Sequence, residues 1–416
     1  MRVAYICADP GVPVFGTKGS SVHVQEIVRA WRRAGADVTV YCTRTGADRP
    51  ADLAGLPVVE ILSQSDSGAG RASGARREHG AATVSGAGQD SGAGRASGAR
   101  REHAIRDAAA ALGQAVIRDG CDVVYERYSL FSPALAMAAG ALGVPAVLEV
   151  NAPLIDEQQQ YRELHDAGLA ERMLRTNAAA SSVVACVSEP VVRWVEGRIP
   201  GARTVLAPNG VNTERITPRL AGRDHSSRLT VAFVGTLKPW HGVGYLLEAV
   251  AHANMRGAGP TWQAKIIGDG PCRQELERTA AQLGVEAEFT GAVAPDSVPR
   301  LLHECDAAAA PYPLPAPGRD DYFSPLKVYE YLAAGLPVVA SGVGQIPSIL
   351  QHKRTGLLVP PGDPGAIAAA LQRLGADASL RERLGTQARA AAVGLYSWDS
   401  VLATIRQALT SERSVA

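Results

Sequence analysis

The sequence predicts an α/β protein built from two doubly wound, Rossmann-like domains. Apolar runs rich in Val, Ile and Ala alternate with helical patterns, the alternation restarts near residue 229, and 416 residues suffice for two or three cores.

In the first half the strand VAYIC precedes a helix over 22–33, VTVYC precedes a helix over 104–118, and VVYE and AVLEV follow. Short buried strands separated by helices imply parallel pairing through crossovers. In the second half LTVAFVG leads into a helix over 245–253, QAKIIGDG into one over 274–283, and EAEFTG closes the series. The boundaries expected are 1–213 for the first domain, 214–396 for the second, and 397–416 for a last helix packing back across a cleft. A hinge is expected over 208–227, after the strand TVLAP. The uncharged stretch 130–148 is of a length that could suggest a membrane span, but it is rich in Ala and Gly and interrupted by Pro133 and Pro145, so it reads as a helix followed by a buried strand.

Residues 66–103 break the pattern. SGAGRASGARREH occurs twice unchanged, at 67–79 and 91–103, without the apolar positions that offset ordering entropy, and reads as a disordered insertion. A basic docking arm is the other reading of its arginines.

Lys plus Arg (42) and Asp plus Glu (41) nearly cancel, which disfavours nucleic acid or anionic lipid as partner, and any anion site must be local. The six cysteines contain no C-x-x-C pair, so neither a disulfide framework nor a structural zinc site is expected. The N-terminus reads as a strand rather than a signal peptide. The expected setting is cytoplasmic, without stable membrane insertion. Peripheral contact with the inner membrane face through Trp31, Arg29, Arg32 and Arg33 stays open beside the reading of Trp31 as packed.

The most specific stretch is FSPLKVYEYLAAGLPVVAS. Pro325 suits the first turn of a helix, Ser324 its N-cap, and Gly335 its end before the strand PVVA. Free N–H groups at such a helix start bind phosphate. Lys327 and Glu330, three apart, share one side of the helix: the carboxylate suits ribose hydroxyls and the cation a diphosphate, while a surface ion pair explains the spacing equally well. Glycines 268 and 270 flank Asp269 at a strand end, where open α/β sheets bind ligands. Gly11, Gly16 and Gly19 flank a loop that is not G-x-G-x-x-G, which disfavours a dinucleotide cofactor. On LEVNAP, Glu149 and Asn151 lie two apart and face the same way. Glu126 and Arg127 end another strand and either orient an acceptor or form a buried ion pair. No D-x-D triplet occurs, so no metal is expected.

FSPLKVYEYLAAGLPVVAS, PNGVN (208–212), VGTLKPWHG (234–242), IIGDGP (266–271), FTGAV (289–293) and GLLVPPGD (356–363), in this order, resemble the retaining family 4 glycosyltransferases of GT-B fold. That resemblance implies two Rossmann-like domains facing across a cleft. It also implies a nucleotide-diphosphate sugar on the C-terminal domain, an acceptor on the N-terminal domain, and retention of configuration. Glu330 then matches the second Glu of the donor motif, while Tyr322 stands where the first belongs, leaving Asp321 or the amides of Phe323 and Ser324, with Pro325 and Leu326 behind them, to serve the sugar and phosphates. Thr236 and His241 stand at the positions of the diphosphate-clamping Arg and Lys, so Lys238, assisted by His241, is the expected phosphate ligand and the group that stabilises the leaving diphosphate. The resemblance also implies that the loop with Gly16 and Gly19 lies beneath the donor phosphates and acceptor. Asn151 occupies the place of a strand-end His and is assigned to a sugar hydroxyl, with Glu149 beside it as a further catalytic candidate. A UDP-sugar is the leading donor and GDP-mannose follows. A carbohydrate, a lipid-linked precursor or a small natural product is the expected acceptor. A nucleotide-sugar epimerase and a non-catalytic nucleotide-sugar-binding partner are the competing readings.

Overall fold

The computed structural model describes residues 1–62, 92–219, 228–255, 259–314 and 322–411. The chain divides into two compact units, Met1–Pro208 with Val401–Ala416, and Asn209–Ser400.

The first unit contains, in order, β1 (Arg2–Cys7), α1 (Gly19–Arg33), β2 (Asp37–Cys42), β3 (Val58–Glu60), α2 (Gly92–Asp119), β4 (Val123–Arg127), α3 (Ala134–Leu142), β5 (Ala146–Val150), α4 (Leu154–Tyr161), α5 (Ala167–Ala180), β6 (Val183–Cys186), α6 (Glu189–Arg198) and β7 (Thr204–Leu206). Its seven strands lie in the order β3-β2-β1-β4-β5-β6-β7, all parallel. Val3 to Cys7 are all buried, as expected for a strand covered on both faces.

The second unit contains β8 (Arg228–Val234), α7 (Val243–Met255), β9 (Thr261–Ile267), α8 (Arg273–Gln282), β10 (Ala287–Gly291), α9 (Val298–His303), β11 (Ala307–Ala310), α10 (Leu326–Ala333), β12 (Val338–Ser341), α11 (Ile346–Ile349), β13 (Gly356–Val359), α12 (Pro364–Ala376) and α13 (Ala378–Leu395). The parallel sheet runs β10-β9-β8-β11-β12-β13. Alternation along β8 divides the core: Leu229, Val231 and Phe233 pack with α7 and α12, whereas Ala232 packs with α9, α10 and α13. The last helix, α14 (Trp398–Thr410), belongs to the first unit from Val401 onward. There the Arg406 guanidinium lies 5.9 Å from the Trp31 ring, and Arg203 donates to the Ala408 carbonyl at 2.6 Å.

In each sheet the strand order reverses once, between β1 and β4 and between β8 and β11. Helices leave the sheet on opposite faces there, so the carboxyl ends of those strands open into a crevice where ligands bind.

Two expectations are corrected. The disordered insertion over 66–103 does not extend to its end: from Gly92 the second repeat is the start of α2. Its Ala, Arg and Glu are good helix formers, with no proline to interrupt them. Glu102 is buried and accepts the N–H groups of His165 at 2.9 Å and Asp166 at 2.7 Å, which ties this helix to the start of α5. Residues 66–91 lie outside the described residues. Trp31 is fully buried, edge-on to Tyr125 at 6.2 Å, and is therefore a core residue rather than a membrane contact.

The Glu102 contacts yield a prediction. Glu102→Ala leaves two N–H groups without their acceptor and should lower unfolding free energy by about 1–3 kcal/mol in a urea titration. An unchanged midpoint and slope would show that the second repeat contributes nothing to the fold.

Candidate functional site

In the second unit the reversal point carries the FSPLKVYEYL stretch. Helix α10 is joined to the end of β8 through Val234, whose N–H donates to the Tyr331 hydroxyl at 2.7 Å. Ser324 does not cap α10, whose N-cap is Pro325. Its hydroxyl instead accepts the Asn209 N–H at 3.1 Å, while its carbonyl accepts the Asn209 side-chain amide at 2.8 Å. The hydroxyl is also 3.2 Å from that of Tyr329. PNGVN and FSPL are thereby fastened together, a pairing of distant motifs that sequence spacing does not show. Phe323, half-buried, packs against Tyr312 with centroids 4.9 Å apart and ring planes tilted by 35°.

Lys327 is the most perturbed cation. It is 8% exposed, and its ammonium has no hydrogen-bond acceptor among the described residues. Instead it lies 4.0 Å from the Phe233 ring centroid and 5.3 Å from that of Tyr312. Ring faces attract a cation by about 0.5–2 kcal/mol, less than a buried ammonium loses on leaving water. Burial accordingly pulls its pKa down to about 7, although the Glu330 carboxylate acts the other way. Glu330, half-buried on the next turn, is thus within electrostatic reach of Lys327, as their spacing implied.

His241 lies beside this ammonium. Its Nδ1 donates to the Thr236 carbonyl, and burial, the Lys327 charge and the Lys238 charge push its pKa down to about 4. A neutral ring with Nδ1 protonated presents a lone pair at Nε2. Lys238 extends over the exposed ring of Trp240 at 4.7 Å, Thr236 is exposed, and Lys327 occupies the inner position. Leu326 is half-buried and Pro325 buried at the start of α10.

Gly268 and Gly270 pack against the loop that follows β8. Gly268 has φ +141°, and a Cβ there would stand 2.0 Å from the Gly235 carbonyl oxygen; one on Gly270 would stand 2.5 Å from that of Leu237. The two loops meet backbone to backbone, with the Leu237 N–H on the Asp269 carbonyl at 2.9 Å. Asp269 is exposed and accepts the N–H of Gly270. The glycines thus hold the Gly235–Lys238 loop in place. Tyr322 is half-buried, and Asp321 lies outside the described residues.

In the first unit a carboxylate is the centre. Glu149, on β5, is 5% exposed and accepts hydrogen bonds from the Tyr125 hydroxyl at 2.7 Å and the Asn151 amide at 3.1 Å, with His23 Nε2 at 2.8 Å and Arg127 at 3.9 Å. Burial pushes its pKa up, but His23, Arg127 and Tyr125 outweigh it and hold the group down at about 2. So saturated a carboxylate is a poor base. Parallel register sets Arg127 beside Glu149, and alternation turns Glu126 to the opposite face.

Glu126 is therefore corrected as an acceptor ligand. It is fully buried and accepts the Leu135 N–H at 2.7 Å, at the start of α3. Burial raises its pKa to about 7, against the bonds from Ser132 and Leu135. Neither does it pair with Arg127. Gly16 is half-buried and Gly19 exposed; the loop before α1 is pinned by Gln25, which donates to the carbonyls of Val14 and Gly16, each at 3.0 Å.

Sequence reasoning missed His23, Tyr125 and Tyr312. His23 precedes Ile27 by four residues and Trp31 by eight, which places a polar residue on the buried stripe of α1, a signal readable from the sequence. Tyr125 stands two before Arg127 on the same face of β4. No comparable pattern marks Tyr312.

Two doubly wound parallel sheets, one in each unit, are the architecture of the GT-B fold. Residues 17–215 match the description Glycosyltransferase Family 4 and residues 228–377 match Glycosyl transferases group 1, together most of the chain, which belongs to this family. Among its relatives is the GDP-mannose-dependent alpha-(1-6)-phosphatidylinositol monomannoside mannosyltransferase of Mycobacterium tuberculosis, 29% identical over 59% of this chain. The match spans 66% of that protein, just under two thirds of its length. A D-inositol 3-phosphate glycosyltransferase of Acidothermus cellulolyticus is 27% identical over 99% of this chain and 88% of its own. Of solved structures, Anabaena HepE with UDP and glucose has a TM-score of 0.66 at 19% identity, covering 99% of this chain and 100% of that one. Sucrose-phosphate synthase from Thermosynechococcus elongatus has a TM-score of 0.68 at 18% identity, with full coverage of both chains. These two likenesses establish the fold.

The assignment of Glu126 is tested by pH. Its folded pKa, near 7, lies above its unfolded value, so its contribution to stability is complete below pH about 4.5 and declines as pH rises through 7. Glu126→Gln should remove that decline between pH 5 and 8 while leaving any acid-side loss from Glu149, which falls below pH about 4.5. Identical pH slopes in variant and parent would refute the assignment.

Proposed function

We propose that the chain transfers a hexose from a nucleoside-diphosphate sugar to an acceptor hydroxyl, with retention of anomeric configuration and without a metal ion. The observation that carries this reading is the buried Lys327 ammonium at the β8/β11 reversal point, which has N–H groups and no acceptor for them among the described residues. Diphosphate oxygens supply acceptors of the right charge. An ammonium held out of water beforehand needs little reorganisation when charge develops on the leaving group. The start of α10 adds its partial positive charge, and Lys238 a second cation. Glu330 is assigned to the ribose hydroxyls. Fixed cations of this kind do the work that a divalent ion does elsewhere.

In the step proposed, the bond between the anomeric carbon and the diphosphate oxygen breaks as the acceptor oxygen bonds to that carbon on the same face. The acceptor proton passes to the departing diphosphate oxygen, so no protein base is required. Glu149, saturated by donors, and Glu126, buried against α3, both suit this route. UDP-sugars lead as donors. GDP-mannose is the second, because a relative carries it in its name. The acceptor belongs among carbohydrates, lipid-linked precursors and small natural products. Among the described residues no helix is long and apolar enough to cross a membrane.

Binding is measured with UDP, GDP, ADP, dTDP and CDP in the presence of EDTA. One of them should raise the melting temperature, and Glu330→Ala should abolish the rise. Lys327→Met removes a charge-assisted bond worth about 1.5–3 kcal/mol and should weaken binding about 10- to 100-fold. Because an anion raises the Lys327 pKa above 7, binding takes up a proton, and affinity should fall as pH rises from 7 toward 9. Affinity independent of pH over that range, or an inverted anomeric centre in the product by NMR, would overturn the corresponding part of the proposal.

A further inference from the structure

His23 has no part in the chemistry described so far, yet it is 5% exposed and its Nε2 lies 2.8 Å from Glu149 Oε1. It stands near the start of α1, immediately after the loop that Gln25 pins through the carbonyls of Val14 and Gly16. On the far side of the same carboxylate is Asn151, whose amide nitrogen donates to Oε2 at 3.1 Å. A carboxylate can only accept hydrogen bonds, so Asn151 must turn its nitrogen toward Glu149. The amide is planar and its oxygen then points the other way. Asn151 is half-buried just beyond the carboxyl end of β5, so that oxygen is an acceptor placed where parallel sheets meet their ligands.

We propose that His23 is a positioning residue for the transfer, acting through Glu149 to fix the direction in which Asn151 presents its side-chain oxygen to a substrate hydroxyl. Tyr125 and Arg127 approach the carboxylate from β4, and His23 alone comes from α1. With His23 in place Oε1 is held from two elements, by Tyr125 on β4 and by His23 on α1, which restricts the plane of the carboxylate and with it the amide. Without it Oε1 keeps only the Tyr125 hydroxyl, and the carboxylate can turn about its last bond. A substrate hydroxyl that meets this oxygen donates to it. This inference rests on the transferase reading above.

The test uses the full chain labelled with [15N]asparagine, of which it has five. The Asn151 side-chain amide is identified by its loss in Asn151→Ala. His23→Leu should shift that resonance, and His23→Gln, which retains a donor, should bring it back toward the parent position. In turnover assays His23→Leu should lower kcat at least 10-fold while leaving nucleoside-diphosphate affinity unchanged, with partial recovery in His23→Gln. A series of deoxy donors and acceptors identifies the hydroxyl whose removal makes Asn151→Ala silent; with that substrate His23→Leu should lose its penalty as well. An unmoved Asn151 resonance, an unchanged kcat, or an equal fold-loss on the parent and deoxy substrates would overturn the proposal and leave His23 a packing residue. Should His23→Leu fail to fold, His23→Asn, too short to reach the carboxylate, takes its place. Absence of turnover in the parent protein counts against the transferase reading instead, and the resonance arm still decides whether His23 sets Asn151.

Discussion

The Lys327 ammonium has to be kept inside the second unit without an acceptor, and much of the local architecture follows from that requirement. Ring faces of Phe233 and Tyr312 surround it, and the Gly235–Lys238 loop passes close by: a Cβ on Gly235 would stand 3.1 Å from the Lys327 nitrogen. A side chain larger than hydrogen at position 235 would crowd the ammonium. The glycines of the neighbouring loop hold this one by backbone contact, and α10 is fixed to β8 by the Tyr331 hydroxyl. Each of these contacts limits how the structure can relax around the charge, and a charge that cannot be solvated by relaxation is the kind that an anionic ligand satisfies.

The first unit solves the opposite problem. On β5, beside the β1/β4 reversal point, it holds an anion, Glu149, and surrounds it with donors until its pKa lies near 2. Lys327 is thus left short of partners and Glu149 amply supplied. That difference underlies the roles proposed for them: an under-satisfied group is open to a ligand, whereas a satisfied one can orient its neighbours. Sequence spacing marks Lys327 for a diphosphate and Glu149 as a catalytic candidate, and does not show that distinction.

Alternation along a strand also separates roles that adjacency in sequence had joined. Glu126 and Arg127 are neighbours in the chain, yet one is buried against the first turn of α3 and the other lies beside Glu149. Ser324 shows the same effect at a helix end. Its hydroxyl is adjacent to the α10 cap position, but Asn209, 115 residues earlier, takes it.

The sequence by itself determined the two-domain α/β class, the strands and most helix cores, the reading of 130–148 as helix and strand, and the family, because these rest on local periodicity and on motifs contiguous in the chain. It also marked Lys327, Glu330, Glu149 and Asn151. Tertiary structure alone decided what those residues are bonded to: the isolation of Lys327 over two rings, the neutral state of His241, the crowding of donors on Glu149 and the part taken by His23. It likewise decided that the second SGAGRASGARREH is helical through Glu102, a contact with residues 63 and 64 positions away. Charge states and hydrogen-bond partners depend on desolvation and on distances between elements remote in the chain, and neither quantity is encoded at any single stretch of sequence.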